Sequence, residues 1–429
     1  MKKLQTITLG CSKNKVDTEH ILSHVEDLYE IIPEGEDIPV DVILLNTCGF
    51  IGDAKEESVQ AVLDAVDRKN RGLAQKVVVF GCLSQRYMNE LPDLIPEVDA
   101  WFGAREFDPV IRELGAEPDE SRRADRYLTT PSHYAYLKIS EGCNSPCSYC
   151  IKPKINGPLT SYDIKDLVDE ARYLVKNGVK EIQFVAQNLT AYGLDIYKEK
   201  RITELVNRIA DIDGVEWIRL HYAYPIGFPL DLLDTIRQRE NVCNYLDMAI
   251  QHCNTKMLKL MRRSMTKEQL TDLIATIRDR VPGIYLRTTV MTGHPGETQS
   301  DFDELYEFVK GQRFERMGVF AYSHQSGTYC DKNYVDDIPQ SVKIERALSL
   351  MSLQNSIYQS LNGSLVGTVE KVIIDEKLGE YYIGRGEHST PMADPKIYVS
   401  SNLGLNIGDF YNVRITGVRG KDINGEIIN

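Results

Sequence analysis

Three cysteines near the middle of the chain have a spacing suited to metal chemistry. They lie in the run Cys143-Asn-Ser-Pro-Cys147-Ser-Tyr-Cys150, a C-x3-C-x2-C pattern that directly follows a predicted strand. Three thiolates in one short loop can bind three irons of a four-iron cluster, which leaves the fourth iron without a protein ligand. An open iron can bind and reduce a substrate or cofactor, which a fully ligated electron carrier cannot do.

Two other interpretations of this loop are less favoured. A zinc site needs a fourth ligand nearby, and His133 lies ten residues upstream, across a strand. Chance clustering of core thiols is the second alternative, but buried cysteines rarely crowd into a loop that contains Pro and Asn. Cys143, Cys147 and Cys150 are therefore predicted to be catalytic, cluster-binding residues.

A second set of cysteines follows strand ends in the first part of the chain. Cys11, Cys48 and Cys82 each come one to three residues after a predicted strand, beside glycines that allow tight turns. Because parallel strands place their carboxyl ends on one edge of a sheet, these residues are expected to converge. They predict a second three-cysteine cluster, with three buried structural thiols as the alternative. The remaining cysteines are predicted to be ordinary buried thiols: Cys243, Cys253 and Cys330.

The elements that position these cysteines alternate between strand and helix. The predicted fold class is α/β, beginning with a doubly wound parallel-sheet domain over residues 1–116. A polar linker is predicted over 117–130. Six βα units within 131–361 predict a full or partial β/α barrel. Residues 362–429 show short alternating strands, which predict a small all-β barrel. The predicted strands of the first two domains are 4–9, 40–45, 77–80, 136–140, 181–186, 217–222, 245–250, 285–292 and 317–322, and the predicted helices include 17–29, 54–69 and 340–361.

Charge and composition limit the partners and the compartment. A net charge of −13 disfavours nucleic acid as the primary partner and favours a small molecule or a basic protein. Residues 363–429 carry seven basic and nine acidic side chains, which suits a basic protein better than RNA. Nine cysteines without a recognisable secretion signal predict a reducing, cytoplasmic compartment. No apolar run is long enough to span a membrane.

The two cysteine sets together resemble the methylthiotransferase family of radical S-adenosylmethionine (SAM) enzymes, and the resemblance covers essentially the whole chain. Members join an N-terminal three-cysteine domain, a radical SAM barrel and an OB-like barrel called TRAM. The RimO type, which modifies small-subunit ribosomal protein twelve, is the most similar. Transfer-RNA-modifying relatives typically carry Gln-Met-Asn where this chain has Ser12-Lys13-Asn14. The supporting motifs are Leu9-Gly-Cys-Ser-Lys-Asn14, Tyr136-Leu-Lys-Ile-Ser-Glu-Gly-Cys143, Arg219-Leu-His-Tyr-Ala-Tyr-Pro225 and Gly293-His-Pro-Gly-Glu-Thr298.

The resemblance implies a reaction that adds a methylthio group to the β-carbon of one aspartate of that ribosomal protein. It implies two 4Fe-4S clusters, one on each cysteine set. One SAM would supply the methyl group, and a second would supply a 5′-deoxyadenosyl radical. An electron donor such as flavodoxin or ferredoxin and a sulfur source are also implied. A transfer-RNA methylthiotransferase and a non-catalytic iron–sulfur scaffold that binds the ribosome are the alternatives.

Four further residues are predicted to bind the cofactor. Tyr149 is the aromatic residue that the family places before the last cysteine of the loop. Gln187 and Gln251 follow barrel strands, whose ends point into the active mouth, with loop capping as the alternative. Arg219 lies within a strand and is predicted to hold a carboxylate of the cofactor or substrate, or to form a structural salt bridge. The same alternatives apply to Arg287.

Other features near the strand ends carry weaker predictions. Metal ligation by histidines is not expected, because thiolates already satisfy both clusters. The run from Gly293 to Glu297 is predicted to be a tight turn capped by its glutamate. The loop after Cys150 departs from the family pattern, with Lys152 in place of an apolar residue and Tyr162 in place of an arginine. The histidines concerned are His221, His252 and His294.

Overall fold

The computed structural model describes residues 1–391, 393–401 and 404–428. The N-terminal strands are β1 (Lys2–Thr8), β2 (Tyr29–Ile32), β3 (Val40–Thr47), β4 (Ala74–Gly81) and β5 (Ala100–Trp101). They form a parallel five-stranded sheet in the order β2-β1-β3-β4-β5. The helices of this part are α1 (Ser12–Val25), α2 (Gly52–Asn70), α3 (Cys82–Arg86), α4 (Leu91–Leu94) and α5 (Phe107–Glu113).

Helices cover both faces of this N-terminal sheet. Val62 of α2 belongs to the core that also contains Ile43 and Val77, whereas Ile21 of α1 packs in the core on the other face. Strands that are buried on both faces appear in the sequence as continuous apolar runs, as in β3 and β4. The sheet is therefore doubly wound, as predicted. The strand order reverses between β1 and β3, which is where open α/β sheets form their binding crevice.

The central part of the chain contains a second parallel sheet. Its strands are β6 (Tyr134–Lys138), β9 (Glu181–Val185), β10 (Trp217–Ala223), β11 (Val242–Met248), β12 (Tyr285–Thr292) and β13 (Arg316–Ala321), and β7 (Ser140–Glu141) pairs with β8 (Thr160–Ser161). The six strands run in the order β13-β12-β11-β10-β9-β6. The described residues show no pairing of β6 with β13, so the barrel is partial.

Helices fill the connections between these strands. Their apolar faces pack on the sheet: Leu205 of α8 and Leu232 of α9 are fully buried in the main core. The helices are α6 (Lys152–Asn156), α7 (Ile164–Lys176), α8 (Ile202–Ala210), α9 (Asp231–Gln238), α10 (Thr255–Leu260), α11 (Lys267–Arg280), α12 (Gln299–Gln312), α13 (Tyr329–Asn333) and α14 (Gln340–Ser364).

The C-terminal residues form a closed five-stranded barrel. Its strands are β14 (Val369–Leu378), β15 (Tyr381–Gly386), β16 (Ile397–Ser400), β17 (Phe410–Arg419) and β18 (Asp422–Ile427), joined in the order β14-β15-β16-β18-β17. Alternating apolar residues fill its interior, among them Val372, Val399 and Val413. The predicted fold class is confirmed in all three parts. No helix among the described residues is long and apolar enough to cross a bilayer.

The segment between β15 and β16 docks on the central sheet. The carbonyl oxygen of Glu387 accepts a hydrogen bond from Arg219. The ring of His388 stacks on that of Tyr285 at 3.9 Å. Asp394 accepts a hydrogen bond from the Tyr245 hydroxyl at 2.8 Å and lies 3.4 Å from Arg287. We call the described residues 387–391 and 393–395 the docking segment, because they fix the C-terminal barrel to the central sheet.

The stretch predicted as a polar linker is packed between the first two sheets. Arg126 is buried, with its guanidinium paired to Glu19 of α1 and, at 2.6 Å, to Glu170 of α7. A third hydrogen bond reaches the carbonyl oxygen of Tyr136 at 3.1 Å. The segment therefore connects the N-terminal and central parts through buried charge. The predicted domain boundaries remain predictions.

Candidate active site

The three N-terminal cysteines lie at the carboxyl edge of the first sheet. Cys11 precedes α1, Cys48 directly follows β3, and Cys82 is the first residue of α3. A Cβ at Gly10 would lie only 2.7 Å from the Cβ of Cys48, so the loops that carry Cys11 and Cys48 touch. The structure thus brings β1 and β3 cysteines together at the point where the strand order reverses.

The third cysteine loop packs against the second. A Cβ at Gly49 would lie 2.7 Å from the carbonyl oxygen of Cys82, which only glycine allows. The Sγ of Cys11 lies 3.6 Å from the amide oxygen of Asn14. Hydrogen bonds from Asn14 to the carbonyl oxygens of Leu9 and Thr47 also fix these loops to one another. All three thiols line one cavity.

Burial makes free thiolates costly at this edge. It raises the pKa of the Cys82 thiol to about 12 and also raises the pKa of Cys48. Burial opposes ionisation of Cys11 as well, but the charges of Lys13 and Lys152, together with backbone hydrogen bonds from Asn14 and Lys13, outweigh it and lower the pKa of that thiol. Binding of the thiolates to the iron of a cluster would offset the cost of burying them at Cys48 and Cys82.

The C-x3-C-x2-C loop is held by backbone contacts on two sides. The N–H of Cys143 donates to the Gly157 carbonyl oxygen at 3.2 Å. The N–H of Ser148 donates to Met261 at 3.0 Å, and the Ser148 carbonyl oxygen accepts from the N–H of Cys330 at 2.7 Å. The loop has no regular secondary structure of its own at its cysteines, so these contacts position the thiols.

Arg263, which follows α10, packs its side chain against this loop and was not predicted from the sequence. It is buried, donates to the Ala249 carbonyl oxygen at 2.6 Å, and lies 3.3 Å from the Tyr149 hydroxyl oxygen. Its Nη1 is 3.9 Å from the Sγ of Cys147, and its guanidinium lies 4.4 Å from the centre of the Tyr224 ring. A buried cation beside a thiol favours the thiolate that binds iron.

The cavity of the N-terminal cysteines extends to the central part of the chain. The cavity that Cys11, Cys48 and Cys82 line is closed on the other side by Glu141, Lys152 and Gln187. Glu141 precedes Cys143 by two residues, and Lys152 follows Cys150 by two. Residues that flank the C-x3-C-x2-C loop therefore form one wall of the N-terminal site.

The donor chemistry fits two iron–sulfur clusters. Six of the nine cysteines are half-buried at these two loops, and the other three are buried elsewhere, as predicted. All nine are free thiols. No three His, Cys, Asp or Glu side chains among the described residues could hold a single metal ion. Three thiolates of a four-iron cluster bind three different irons, so they need not converge on one point.

Comparison with known proteins places this architecture in a family. Residues 137–309 match the radical SAM superfamily, residues 3–103 match Uncharacterized protein family UPF0004, and residues 366–428 match the TRAM domain. The ribosomal protein uS12 methylthiotransferase RimO of Bacteroides thetaiotaomicron is 49% identical over 430 residues, covering 100% of this chain and 99% of the relative. The enzyme of the same name from Cytophaga hutchinsonii is 46% identical over 428 residues, covering 99% of this chain and 98% of the relative.

The chain belongs to the RimO family of radical SAM methylthiotransferases. As a member of this family it is an enzyme that uses an iron–sulfur cluster and SAM. Solved structures share its fold. The radical SAM methyltransferase TsrM from Kitasatospora setae gives a TM-score of 0.56 at 14% identity and covers 77% of both chains. The radical SAM enzyme OxsB gives 0.52 at 13% identity, over 82% of this chain and 56% of that one.

Gln187 and Gln251 occupy different positions in this RimO-family fold. Gln187 lines the cavity of the N-terminal cysteines. Gln251 has a φ of +67, which is rare for a residue with a side chain, and its backbone bonds Thr289 and Met291 at 2.8 Å each. Strained backbone of this kind persists where the surroundings enforce it and is common at binding sites. That both glutamines bind SAM remains a prediction.

Arg219 makes the contacts of a structural salt bridge. It is fully buried, donates to Glu181 at 2.8 Å and also binds the docking segment at Glu387. Its guanidinium lies 5.0 Å from the centre of the Tyr245 ring. These partners support the structural alternative that the sequence left open; that Arg219 binds the cofactor stays a prediction. Arg287 likewise pairs with Asp247 at 3.5 Å and with Asp394.

The histidines near the strand ends are engaged by protein groups. His221 bonds Gln183 at 3.0 Å, and His294 bonds Ser148 at 3.2 Å. His252 lies 3.5 Å from Glu297. Glu297 also accepts the N–H of Gly293 at 2.9 Å, which is the capped turn that the sequence predicts.

Proposed function

We propose that this chain adds a methylthio group to the β-carbon of an aspartate of ribosomal protein uS12. The observation that carries the proposal is the cavity that Cys11, Cys48 and Cys82 line, whose other wall includes Glu141 and Lys152, the residues that flank the C-x3-C-x2-C loop. The reaction needs sulfur to be held close to the carbon from which hydrogen is removed. Relatives that match over the full chain are named for the same reaction on the same protein.

We assign a separate 4Fe-4S cluster to each cysteine set. Cys11, Cys48 and Cys82 would hold the cluster at which sulfur is carried, and Cys143, Cys147 and Cys150 would hold the cluster that binds SAM. When bound, the clusters and two SAM molecules supply a methyl group and a radical that takes one hydrogen from the substrate, given an electron and a sulfur atom from outside.

The chain's own residues bind and orient these groups. Arg263 and Tyr149 hold the C-x3-C-x2-C loop from the side of the central sheet. Tyr149, Gln187 and Gln251 remain the proposed SAM contacts. The cavity is enclosed by the N-terminal and central parts of the chain, which keeps water from a reactive radical.

The C-terminal barrel favours a protein substrate over transfer RNA. Four of its seven basic side chains pair with carboxylates, among them Lys396 with Glu376 at 3.1 Å and Arg385 with Asp375 at 2.6 Å. Lys371 pairs with Glu216 of the central part at 3.0 Å. Such neutralised cations provide no continuous basic face for a phosphate backbone. A basic protein complements this surface better.

The remaining partners follow from the reaction. A small one-electron donor such as flavodoxin or ferredoxin would reduce the SAM-binding cluster. A separate sulfur source would renew the sulfur that leaves with each product. Because the substrate is a ribosomal protein, we place the enzyme in the cytoplasm.

Intact-mass spectrometry of co-expressed uS12 tests the proposal. The host should lack its own modifying enzyme. The substrate should gain the mass of one methylthio group in place of one hydrogen, and Cys147→Ala should abolish the gain. Cys243→Ala is the matched control, because Cys243 is buried near the beginning of β11, beside Trp217 and Tyr245. Modification of transfer RNA with unmodified uS12 would support the first alternative. Clusters whose spectra do not respond to SAM would support the second alternative, a non-catalytic iron–sulfur scaffold that binds the ribosome.

A further inference from the structure

Lys13 is a buried lysine without a charged partner. It is 4% exposed, and among the described residues no carboxylate or hydrogen-bond acceptor contacts its ammonium group. The group lies 4.5 Å from the centre of the Tyr222 ring. It also lines the cavity of the N-terminal cysteines. The side chain is buried, but its ammonium group is not sealed off without a partner: it borders this cavity, where a negatively charged group arriving from outside would pair with it.

The other two buried lysines among the described residues pair with carboxylates, as buried lysines usually do. Lys138 is 3% exposed and pairs with Asp17 and Glu141. Lys343 is also 3% exposed and pairs with Asp336 at 2.6 Å. Of the three, Lys13 is the one whose ammonium group has no carboxylate of the described residues beside it.

A second cation enters the same cavity from the opposite wall. Lys152, on α6, is half-buried, and its ammonium group lies 4.4 Å from the centre of the Phe50 ring. No ion pair forms at this lysine within the part of the chain that the structure describes. Lys13 comes from the N-terminal part and Lys152 from the central part, so the cavity has one free ammonium group on each side.

The aromatic partners hold both ammonium groups without using their hydrogen bonds. A ring face attracts a cation through its quadrupole and leaves the N–H donors available. Tyr222 has a φ of +61, a strained conformation for a tyrosine. It is the next-to-last residue of strand β10, and its ring lies beside Lys13.

We propose that Lys13 and Lys152 bind the side-chain carboxylate of the substrate aspartate. This inference rests on the proposed function and names how its substrate is recognised. The β-carbon is bonded directly to the carboxylate carbon. A carboxylate held between the two ammonium groups therefore places the β-carbon beside Cys11, Cys48 and Cys82, where sulfur would be delivered. The lysines also explain a preference for aspartate over asparagine, which lacks the charge.

A different role would be to offset the negative charge of a thiolate-bound cluster. The two roles make different predictions. Charge compensation affects how much cluster the protein retains, whatever the substrate. Carboxylate recognition affects the discrimination between aspartate and asparagine and leaves cluster content unchanged.

The test compares binding of two forms of uS12 to the cluster-loaded enzyme. The target aspartate is first located by tandem mass spectrometry and then replaced by asparagine. Equilibrium dissociation constants for both forms are measured with the wild type, Lys13→Gln, Lys152→Gln and the charge-retaining Lys13→Arg. Lys154→Gln is the matched control, since Lys154 is an exposed lysine on the same helix. Iron and sulfide content is measured for every variant.

The wild type and Lys154→Gln should bind the aspartate form roughly tenfold more tightly or better, as expected for a hydrogen-bonded charge pair. Each Lys→Gln variant should reduce this ratio to below about threefold with normal iron content, and Lys13→Arg should retain part of it. Unchanged discrimination in Lys152→Gln, or a wild type that does not discriminate, overturns the inference. Variants that lose cluster and keep the ratio show charge compensation instead. Failure of the wild type to modify uS12 at all counts against the proposed function.

Discussion

The guanidinium of Arg263 lies 3.3 Å from the hydroxyl oxygen of Tyr149 and so connects the end of the central sheet to the C-x3-C-x2-C loop. The same guanidinium bonds the Ala249 carbonyl oxygen, and its second contact reaches toward Cys147. This one buried side chain therefore contacts Tyr149 and Cys147 of the loop and Ala249, which follows β11.

Replacing Arg263 should weaken cluster retention. Arg263→Met removes charged hydrogen bonds that are each worth about 1.5–3 kcal/mol and leaves the Ala249 carbonyl oxygen unsatisfied. The variant should lose iron from the C-x3-C-x2-C loop faster than the wild type, measured by iron content and electron paramagnetic resonance over time. Arg263→Lys retains the charge but not the planar fork and should be intermediate. Equal retention in all three proteins would contradict this role.

A glycine substitution near Cys48 should remove the N-terminal cluster without removing the SAM-binding cluster. Gly10→Ala introduces a Cβ 2.9 Å from the Sγ of Cys48, at a φ of +94. We expect the N-terminal cluster and the methylthio product to be lost, while SAM cleavage to 5′-deoxyadenosine continues. The measurements are iron content and product analysis by chromatography. Gly35→Ala is the matched control, because its φ is +90 and no atom lies within 4 Å of the added Cβ. Loss of both activities in Gly10→Ala alone would argue against separate clusters.

Arg126 should be essential for the junction between the first two sheets. Arg126→Met leaves Glu19 and Glu170 buried without a cation, which should cost about 3–5 kcal/mol of unfolding free energy. Urea unfolding and limited proteolysis within 117–130 measure the effect. Arg123→Met is the control, since Arg123 pairs with Asp166 at the surface, where a pair is worth about 0–1 kcal/mol. Equal stability of the two variants would show that the buried network does not hold the junction.

Acid should remove the stabilisation that Glu181 provides. Burial raises the pKa of this carboxyl, but the guanidiniums of Arg385 and Arg219 outweigh it and hold the pKa below its ordinary value of 4.5. A carboxyl with a lowered folded-state pKa contributes stability that is present above the ordinary value and lost as pH falls through the folded-state pKa. The difference in unfolding free energy between the wild type and Glu181→Gln should therefore be constant above about pH 5.5 and shrink below 4.5. A difference that grows on acidification would refute this assignment. Denaturant titrations at each pH provide the values.

The fold was largely predictable because its strands are buried. Parallel strands covered on both faces give continuous apolar runs, and the predicted strand over 285–292 matches β12 at both ends. Strand β2 was missed because it is a four-residue edge strand with an exposed Glu30. Strand β18 was missed because it contains Asn424 and Gly425, residues that usually mark turns. The predicted helix over 17–29 begins earlier, at Ser12, and ends at Val25, where the chain turns into β2.

Residues of the site were predictable only where a short stretch of sequence identifies them. The cysteines follow strand ends, and that position alone implies convergence at one sheet edge. Arg263 reaches Cys147 across 116 residues of sequence, and Lys13 meets Tyr222 from another part of the chain. Such partners are set by how the sheets pack on one another. Lys152 did carry a local signal, since it departs from the apolar residue typical of the family.

The docking segment affects when, during synthesis, the central sheet can reach its final packing. It supplies partners to Arg219, Tyr245 and Arg287, three side chains of the central sheet. Until β15 and the residues after it have been synthesised, these buried polar groups lack those partners. The central sheet therefore reaches its final packing only after the docking segment, which follows the first two strands of the C-terminal barrel, has left the ribosome.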